Sequence, residues 1–258
     1  RTGIVHILAD GSLDSAFVCS ASFAPTSTKV GLAALALDGK TLYVGGGFTA
    51  IDGKARNYLA AVDAATGAAL PWYPKLNAEV LALAVHGGKV WAGGLFTTAG
   101  GEARPYLTAL DAVSAAPAGV ALGCNGAVRA MVSTPAGLLA VGDFANVGGK
   151  ARPGSVGVDA SGNVTAYVGP SATSITAVAA SGNVAYLGSY AFSAGLKQVG
   201  KGVVAVDAAT GAVVAAFAPN VTTLSGFAVN ALAVGGSDLF IGGTLDSVGG
   251  QPRPFAAA

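Results

Sequence analysis

The sequence predicts an all-β protein built from five copies of one antiparallel unit. An aspartate that ends an apolar run recurs at intervals of 48 residues, at Asp63, Asp111, Asp159 and Asp207. A phenylalanine recurs at the same interval, at Phe48, Phe96, Phe144 and Phe192. The apolar runs between these markers are too short for globular helices and are bounded by Gly-rich turns. Four short strands in each of several equal repeats are typical of propeller blades, so the sequence predicts a five-bladed β-propeller.

Each copy contains four strands of different composition. The first is a short alanine-rich run, such as VLALAV at 80–85, and small residues suit strands that crowd around a central axis. The second carries one bulky side chain, which we expect to pack between neighbouring blades, at Tyr43, Trp91, Leu139, Tyr186 and Phe240. The third ends in the repeated aspartate, where the D-A-A-T-G motif predicts a turn capped by the aspartate side chain. A weaker fourth strand follows, as in AVVAAF at 212–217.

The blade boundaries predict one domain over residues 1–258. The blades are approximately 31–79, 80–127, 128–174, 175–228, and 229–258 together with 1–30. The N-terminal stretch GIVHILADGSLDSAF is predicted to supply the third and fourth strands of the last blade, with Asp10 as its turn aspartate. A blade shared by both ends of the chain would close the ring and leave no open edge.

The last blade has two candidates for its third strand. The tail RPFAAA, residues 253–258, matches the start of the same strand that the N-terminal stretch matches. We interpret the tail as a frayed end. The alternative is a spare strand that pairs with the edge of another subunit and builds a polymer.

Charge and hydropathy exclude several classes of partner. Only 10% of the residues are charged and the formal net charge is +1, which provides no field for nucleic acid or for an anionic membrane surface. Although 52% of the residues are hydrophobic, no apolar run approaches the ~20 residues of a membrane-spanning helix. Few charges and 39 glycines favour a secreted or cell-surface β-protein.

The sequence offers little metal or disulfide chemistry. Cys19 and Cys124 are either two buried thiols or the two halves of one disulfide, which an oxidising compartment would permit. The histidines are His6 and His86, and neither belongs to a Cys/His cluster with zinc-ligand spacing. We therefore expect no metal and no cofactor.

The blocks LADGSLDSAF and VxALAV–GG–VYVGGxFTxxGGxxRxxLAAxDAxTG resemble the bacterial delta-sixty type propeller repeats. The resemblance covers essentially the whole chain and implies a secreted or cell-surface protein with a mostly non-catalytic role. The fourth copy departs from the pattern, because SYAFSAGLKQVGKG replaces the GG-F-T motif and the arginine. That arginine is present in the other copies as Arg56, Arg104, Arg152 and Arg253. We expect the outer surface of the fourth blade to differ.

Some five-bladed propellers are glycosidases, which need carboxylates around the central cavity. Most of the 13 acidic residues occupy turns, and none lies inside a first strand. Glu79 and Asp143 are the nearest candidates, and we predict that the protein is not an enzyme. The repeated aspartates more simply cap turns than bind calcium, which takes about six to eight oxygens. The repeated arginines more simply bond loop carbonyls than bind a ligand.

The connection LPWYPKLNAE, residues 70–79, is the most individual segment of the chain. It contains Trp72, Tyr73 and Lys75, and we expect it to share one face of the disc with the loops around Lys54 and Glu102. An exposed Trp–Tyr pair would suit a sugar or a protein partner. Alternatively, the aromatic side chains seal the edge of the blade.

The sequence thus predicts a non-catalytic structural or protein-interaction module. Its partners would be other proteins or further copies of itself, joined into a polymer through the terminal strands. A glycan-binding lectin that uses the loop face is the alternative, and a glycan-cleaving hydrolase is the third hypothesis. The prediction includes neither nucleic acid nor a transmembrane segment.

Overall fold

The computed structural model describes residues 3–23, 31–119, 121–194, 197–223, 229–253 and 255–257. These residues form antiparallel β-strands and turns, and none of them belongs to a helix long and apolar enough to cross a membrane. The chain is therefore all-β, as the sequence predicts. Residues 24–30 of the N-terminal stretch, and Pro254 and Ala258 of the tail, were assigned to the last blade and lie outside the described residues.

All five repeats begin with the same hairpin of a first and a second strand. The first strands are Leu32–Asp38, Val80–His86, Val128–Thr134, Ile175–Ser181 and Val229–Gly235. The second strands are Thr41–Gly46, Lys89–Gly94, Gly137–Gly142, Val184–Ala194 and Asp238–Gly243. Each first strand has a β-bulge at its start, in the corresponding place in all five hairpins. Related strands usually keep their bulges at the same position. The shared position therefore confirms that the five copies have the same backbone arrangement in this hairpin.

The third strand pairs with the second and ends at or beside the turn. The third strands are Leu59–Asp63, Leu107–Asp111, Ser155–Val158, Lys197–Asp207 and Ala256–Ala257. Asp63 Oδ1 accepts hydrogen bonds from the Thr66 hydroxyl at 2.9 Å and from the Thr66 amide at 2.8 Å. Asp111 and Asp207 accept the equivalent bonds. These bonds lower the pKa of each aspartate, and the predicted aspartate-capped turn is confirmed.

The fourth strand is shorter than predicted. In repeat two it is Pro117–Ala118, which completes a four-stranded sheet. In repeats one, three and four it is reduced to isolated bridges, which join Val62 to Ala69, Val158 to Val164 and Val206 to Val213. In repeat one, Pro71 follows the bridge closely and lacks the N–H that a longer ladder would need. Four full strands in every blade was therefore a wrong prediction.

A Gly-rich hairpin lies between the second and third strands. Its paired strands are Phe48–Ile51 with Lys54–Ala55, Thr98–Ala99 with Glu102–Ala103, Asn146–Val147 with Lys150–Ala151, and Leu245–Val248 with Gln251–Pro252. In repeat four the second and third strands simply continue through this region. The turn at Gly100 and Gly101 has φ of +57° and +88°, which glycine adopts without strain.

The C-terminal tail holds the third-strand position of repeat five. Ala256–Ala257 pairs with the second strand Asp238–Gly243, so the interpretation of the tail as a frayed end is wrong. The N-terminal stretch forms a small hairpin of its own with a bridge from Ile7 to Leu13. Beside it, Gly3–Ile4 pairs with Cys19–Phe23. The strand that the sequence assigns twice is thus supplied by the tail.

The chain consists of two compact units, Arg1–Ala121 and Leu122–Ala258. In the first unit, the first strands of repeats one and two lie against each other. In the second unit, the first strands of repeats three, four and five do the same. Apolar clusters fill the space between consecutive repeats inside each unit, so these repeats pack face to face.

Candidate functional site

The face of repeat one that meets repeat two shows how consecutive repeats pack. Tyr43 is 3% exposed and lies in one cluster with Val80 and Leu83 of the next first strand. Val80 packs directly on Gly45. A Cβ added to this glycine would be only 2.6 Å from Val80 Cγ1. A glycine and a large side chain on one repeat thus receive the first strand of the next.

Repeats four and five pack in the same way inside the second compact unit. A Cβ added at Gly188 would be 2.8 Å from Val229 Cγ1. Tyr186 and Phe217 contact each other edge to face, with ring centroids 5.2 Å apart. Both belong to the cluster that contains Val229 and Leu232. In both interfaces, an aliphatic side chain of the following repeat therefore packs directly on a glycine.

Repeat five, in the second compact unit, has the equivalent face. Phe240 pairs with Ala233 as Tyr43 pairs with Ala36 in repeat one, yet Phe240 is 48% exposed. At Gly242, the equivalent of Gly45, an added Cβ would have Ala231 Cβ as its nearest described neighbour, at 3.7 Å. The residues Ala231, Ala233, Phe240 and Gly242, here called the Phe240 face, border an open cavity of about 510 Å³.

Repeat one exposes two leucines on its first strand. Leu35 and Leu37 stand where repeat two has Leu83 and Val85, which pack against repeat one. They are 53% and 63% exposed. Together with Leu32, at the start of the same strand, they form what we call the Leu35 face.

Trp72, which the sequence offers as an exposed binding residue, is buried. It is 7% exposed, and its Nε1 donates a hydrogen bond of 2.9 Å to the Asp111 carbonyl. Its ring contacts Tyr43 edge to face, with centroids 4.9 Å apart. This is the sealing role that the sequence leaves open as the alternative, so the exposed Trp72–Tyr73 pair expected of a sugar site is not formed.

Tyr73 is held by the arginine of its own repeat. The Arg56 guanidinium lies over the Tyr73 ring, 5.1 Å from its centroid, and Nη2 donates to the Leu70 carbonyl at 3.2 Å. Arg104 and Arg152 donate in the same way to the carbonyls of Gly119 and Thr165. The prediction that the repeated arginines bond loop carbonyls is confirmed for these three arginines.

Lys54 and Glu102 also bond inside their own repeats. Lys54 Nζ donates to the Ala69 carbonyl at 3.0 Å, and Glu102 accepts a 2.8 Å hydrogen bond from Arg104. Lys75 is exposed. The backbone of Gly100 donates to the Pro74 carbonyl, which places the 70–79 connection against the hairpin of Glu102. The two predicted loops are therefore neighbours, but most of their polar groups stabilise the loops themselves.

Asp143, one of the two candidate catalytic acids, is engaged by an arginine. Arg129 Nε donates to both carboxylate oxygens at 2.8 Å, and the Ser174 hydroxyl donates at 2.6 Å. Burial raises the pKa of Asp143, but the hydrogen bonds from Arg129 and Ser174 outweigh burial and hold the pKa below its ordinary value. The Asp143 carboxylate is therefore ionised and bonded.

The second candidate acid, Glu79, lines a cavity of about 210 Å³ in the first compact unit. Throughout the described ranges, no three His, Cys, Asp or Glu side chains form a group that could hold a metal ion. Cys19 and Cys124 are buried free thiols, so the structure contains two separate thiols and no disulfide joins them. Burial raises the pKa of each thiol to about 11, which keeps both protonated near neutral pH.

Repeat four differs where the arginine is missing. Gln198 pairs with Ser193, the register position at which Arg56 faces Thr49 in repeat one. A cavity of about 700 Å³ opens beside Gln198 and is lined largely by valine, alanine and other apolar side chains. Its volume is in the range of small-ligand pockets. The expected difference in the surface of this repeat is confirmed.

No protein-family model matches the chain, and no match is found among curated proteins. Among solved structures, the chain is similar to the computationally designed Ika8 protein, with a TM-score of 0.50 and 14% identity, over 90% of this chain and 75% of that one. The computationally designed Ika4 protein matches 88% of this chain and 94% of its own, with a TM-score of 0.29 and 16% identity. The likeness to Ika8 concerns the fold alone.

Proposed function

We propose that the chain is a non-catalytic structural module, secreted or displayed at the cell surface, that binds protein through the Phe240 face. The main supporting observation is the exposure of Phe240, 48% against 3% for the equivalent Tyr43. Exposed apolar patches are typical of protein–protein interaction sites. Burial of a phenylalanine side chain contributes about 1.5–3 kcal/mol, roughly a fifth to a third of the binding free energy of a micromolar complex.

The chemistry of the chain supports a protein partner outside the cell. Only 10% of the residues are charged, and the Phe240 face consists of alanine, glycine and phenylalanine. Such a surface suits an apolar protein surface better than a charged ligand. The resemblance to delta-sixty type repeats supports the extracellular location.

The closed five-bladed propeller is the alternative arrangement of the same repeats. In it, the first blade of the same chain covers the Phe240 face, and the ring leaves no open edge. The two arrangements differ in a dilute sample. Phe240 is buried in a closed monomer, whereas in the open module it is buried only when a partner binds.

Replacement of Phe240 by aspartate tests the proposed interaction. We expect the wild-type chain to associate as its concentration rises in a sedimentation-velocity dilution series. Phe240→Asp raises the dissociation constant at least about tenfold, since burial of an unpaired carboxylate costs well over 1.4 kcal/mol. Val113→Asp is the matched control, because Val113 is 90% exposed on a turn, and it behaves like the wild type.

A wild-type chain that stays monomeric at every concentration, with a sedimentation coefficient unchanged by Phe240→Asp, contradicts the proposed function. In that case a quenching measurement separates the remaining explanations. Fluorescence of a tryptophan placed at position 240 is protected from iodide in a closed ring and accessible in an isolated open chain.

A further inference from the structure

We propose that the occupant of the Phe240 face is the Leu35 face of a second copy of this chain, so that repeat five of one copy joins repeat one of the next. The inference rests on the proposed function, in which the Phe240 face binds protein. It adds the identity of the partner and the residues on the partner's side of the contact.

Two of the three interfaces inside the compact units provide the template, namely those between repeats one and two and between repeats four and five. Between repeats three and four, Val141 occupies the position of the glycine. The receiving repeat contributes a glycine and a large second-strand side chain, as Gly45 and Tyr43 do. The covering repeat contributes an aliphatic residue at the start of its first strand, Val80 or Val229, which lies over the glycine. Leu83 and Leu232, three positions later in these strands, join the same clusters.

Repeat one has this covering set, with leucine at every position. Leu32 corresponds to Val80, and Leu35 to Leu83, because both first strands have the same register and the same bulge. Leu35 and Leu37 are more than half exposed. Two exposed leucines on one strand face are unfavourable unless another surface covers them.

The equivalent position on repeat five is Gly242, which pairs with Ala231. An added Cβ meets Val80 at Gly45 and Val229 at Gly188, whereas at Gly242 its nearest described neighbour is Ala231 Cβ at 3.7 Å. The adjoining cavity of about 510 Å³ is lined by apolar residues. It has room for the leucine that corresponds to Val80.

The N-terminal hairpin extends the apolar surface of repeat one. Ile4 and Leu32 both pack on the cluster of Phe17 and Val44. Ile7 and Leu13 of the same hairpin are 60% and 58% exposed. The receiving copy, which contributes repeat five, therefore meets a broad apolar surface at this end of the chain.

The two faces differ from each other, so each copy can bind one neighbour at either end. A heterologous contact of this kind produces a larger ring if the rotation closes and an open filament if it does not. Copies joined in this way continue the packing of consecutive repeats from one chain into the next.

Site-directed crosslinking tests the contact with the template geometry. In both templates, a Cβ added at the glycine would be 3.1 Å from the valine Cβ, close to the 3.5–4.5 Å of a disulfide, as an approximate range. Leu32→Cys and Gly242→Cys are made as separate single variants, mixed in equal amounts and oxidised with copper–phenanthroline. We expect a reducible dimer in the mixture at least about fivefold above that in either variant alone.

Two control samples define the background of the crosslinking reaction. Val113→Cys mixed with Leu32→Cys is expected to give only the background dimer, as is the parent chain, whose Cys19 and Cys124 are buried. In the double variant Leu32→Cys/Gly242→Cys, interchain contact produces a ladder of oligomers. A monomer with an internal disulfide as the main product contradicts the inference and supports ring closure within one chain.

The result also separates this inference from the proposed function. If Phe240→Asp weakens association but the mixed single variants do not crosslink, the Phe240 face binds protein and its partner is not the Leu35 face. If Phe240→Asp changes nothing, the proposed function fails as well.

Discussion

Replacement of Trp72 by alanine is expected to lower the free energy of unfolding by about 3–5 kcal/mol, the range for large aromatic residues removed from a core. Trp72 is 7% exposed and packs edge to face on Tyr43. Its Nε1 donates to the Asp111 carbonyl, which ends the third strand of repeat two. The side chain therefore connects repeat one to repeat two, and its loss leaves both a cavity and an unpaired carbonyl.

Chemical denaturation of Trp72→Ala and Trp72→Phe measures this effect. Trp72→Phe keeps a ring against Tyr43 and removes the hydrogen bond to Asp111, so we expect a smaller loss of about 1–2 kcal/mol. The sealing role is contradicted if Trp72→Ala unfolds at the wild-type denaturant concentration. Loss of glycan binding by a variant of unchanged stability would favour the lectin hypothesis instead.

Two equivalent glycines are expected to differ in their response to the same substitution, which destabilises the chain at Gly45 and is almost neutral at Gly242. Gly45→Ala places a methyl group 2.6 Å from Val80 Cγ1 and 3.2 Å from Leu83 Cδ1, an overpacked contact that costs about 1–3 kcal/mol. Gly242→Ala places its methyl group in ordinary van der Waals contact with Ala231, 3.7 Å from its Cβ. Its effect on the stability of the single chain is expected to remain within about 0.5 kcal/mol.

Thermal and chemical unfolding of the two variants in dilute solution check this difference. Association provides a second measurement, because a methyl group at Gly242 partly fills the seat of the incoming leucine. Gly242→Ala is therefore expected to weaken self-association while the chain remains as stable as the wild type. Equal destabilisation by Gly45→Ala and Gly242→Ala means that the Phe240 face is already covered within the chain.

The regular parts of the repeat could be predicted from the sequence because local chemistry determines them. The aspartate-capped turns depend on an aspartate and a hydroxyl residue three positions later, as at Asp63 and Thr66. The first two strands follow from short apolar runs between glycine turns. The carbonyl bonds of Arg56 could be anticipated because an arginine recurred at one place in the repeat.

Features that depend on the neighbouring repeat could not be predicted from the local sequence. Phe240 and Tyr43 occupy the same position in their repeats, yet Phe240 is half exposed and Tyr43 is buried. The difference arises because exposure depends on what packs against the strand. In the closed ring that the sequence predicts, the last blade covers Leu35 and Leu37, so the sequence did not identify them as surface residues. The sequence left two roles open for Trp72 for a related reason, since its hydrogen-bond partner, Asp111, is 39 residues away.

Two segments of the chain were candidates for the third strand of repeat five. The N-terminal stretch and the tail match the same strand, and local sequence does not distinguish them. Ala256–Ala257 pairs with the second strand of its own repeat, next to it in the chain. Closure of a short loop costs less conformational entropy than closure of a long one, which favours the tail.

Electron microscopy of the purified chain over a range of concentrations distinguishes assembly between copies from closure of a single ring. We expect end-to-end rows or rings of several copies in which repeat five of one copy contacts repeat one of the next, dispersed by Phe240→Asp and retained in Val113→Asp. Single closed discs of five blades at every concentration, with repeat one and repeat five of the same chain in contact, would contradict assembly between copies.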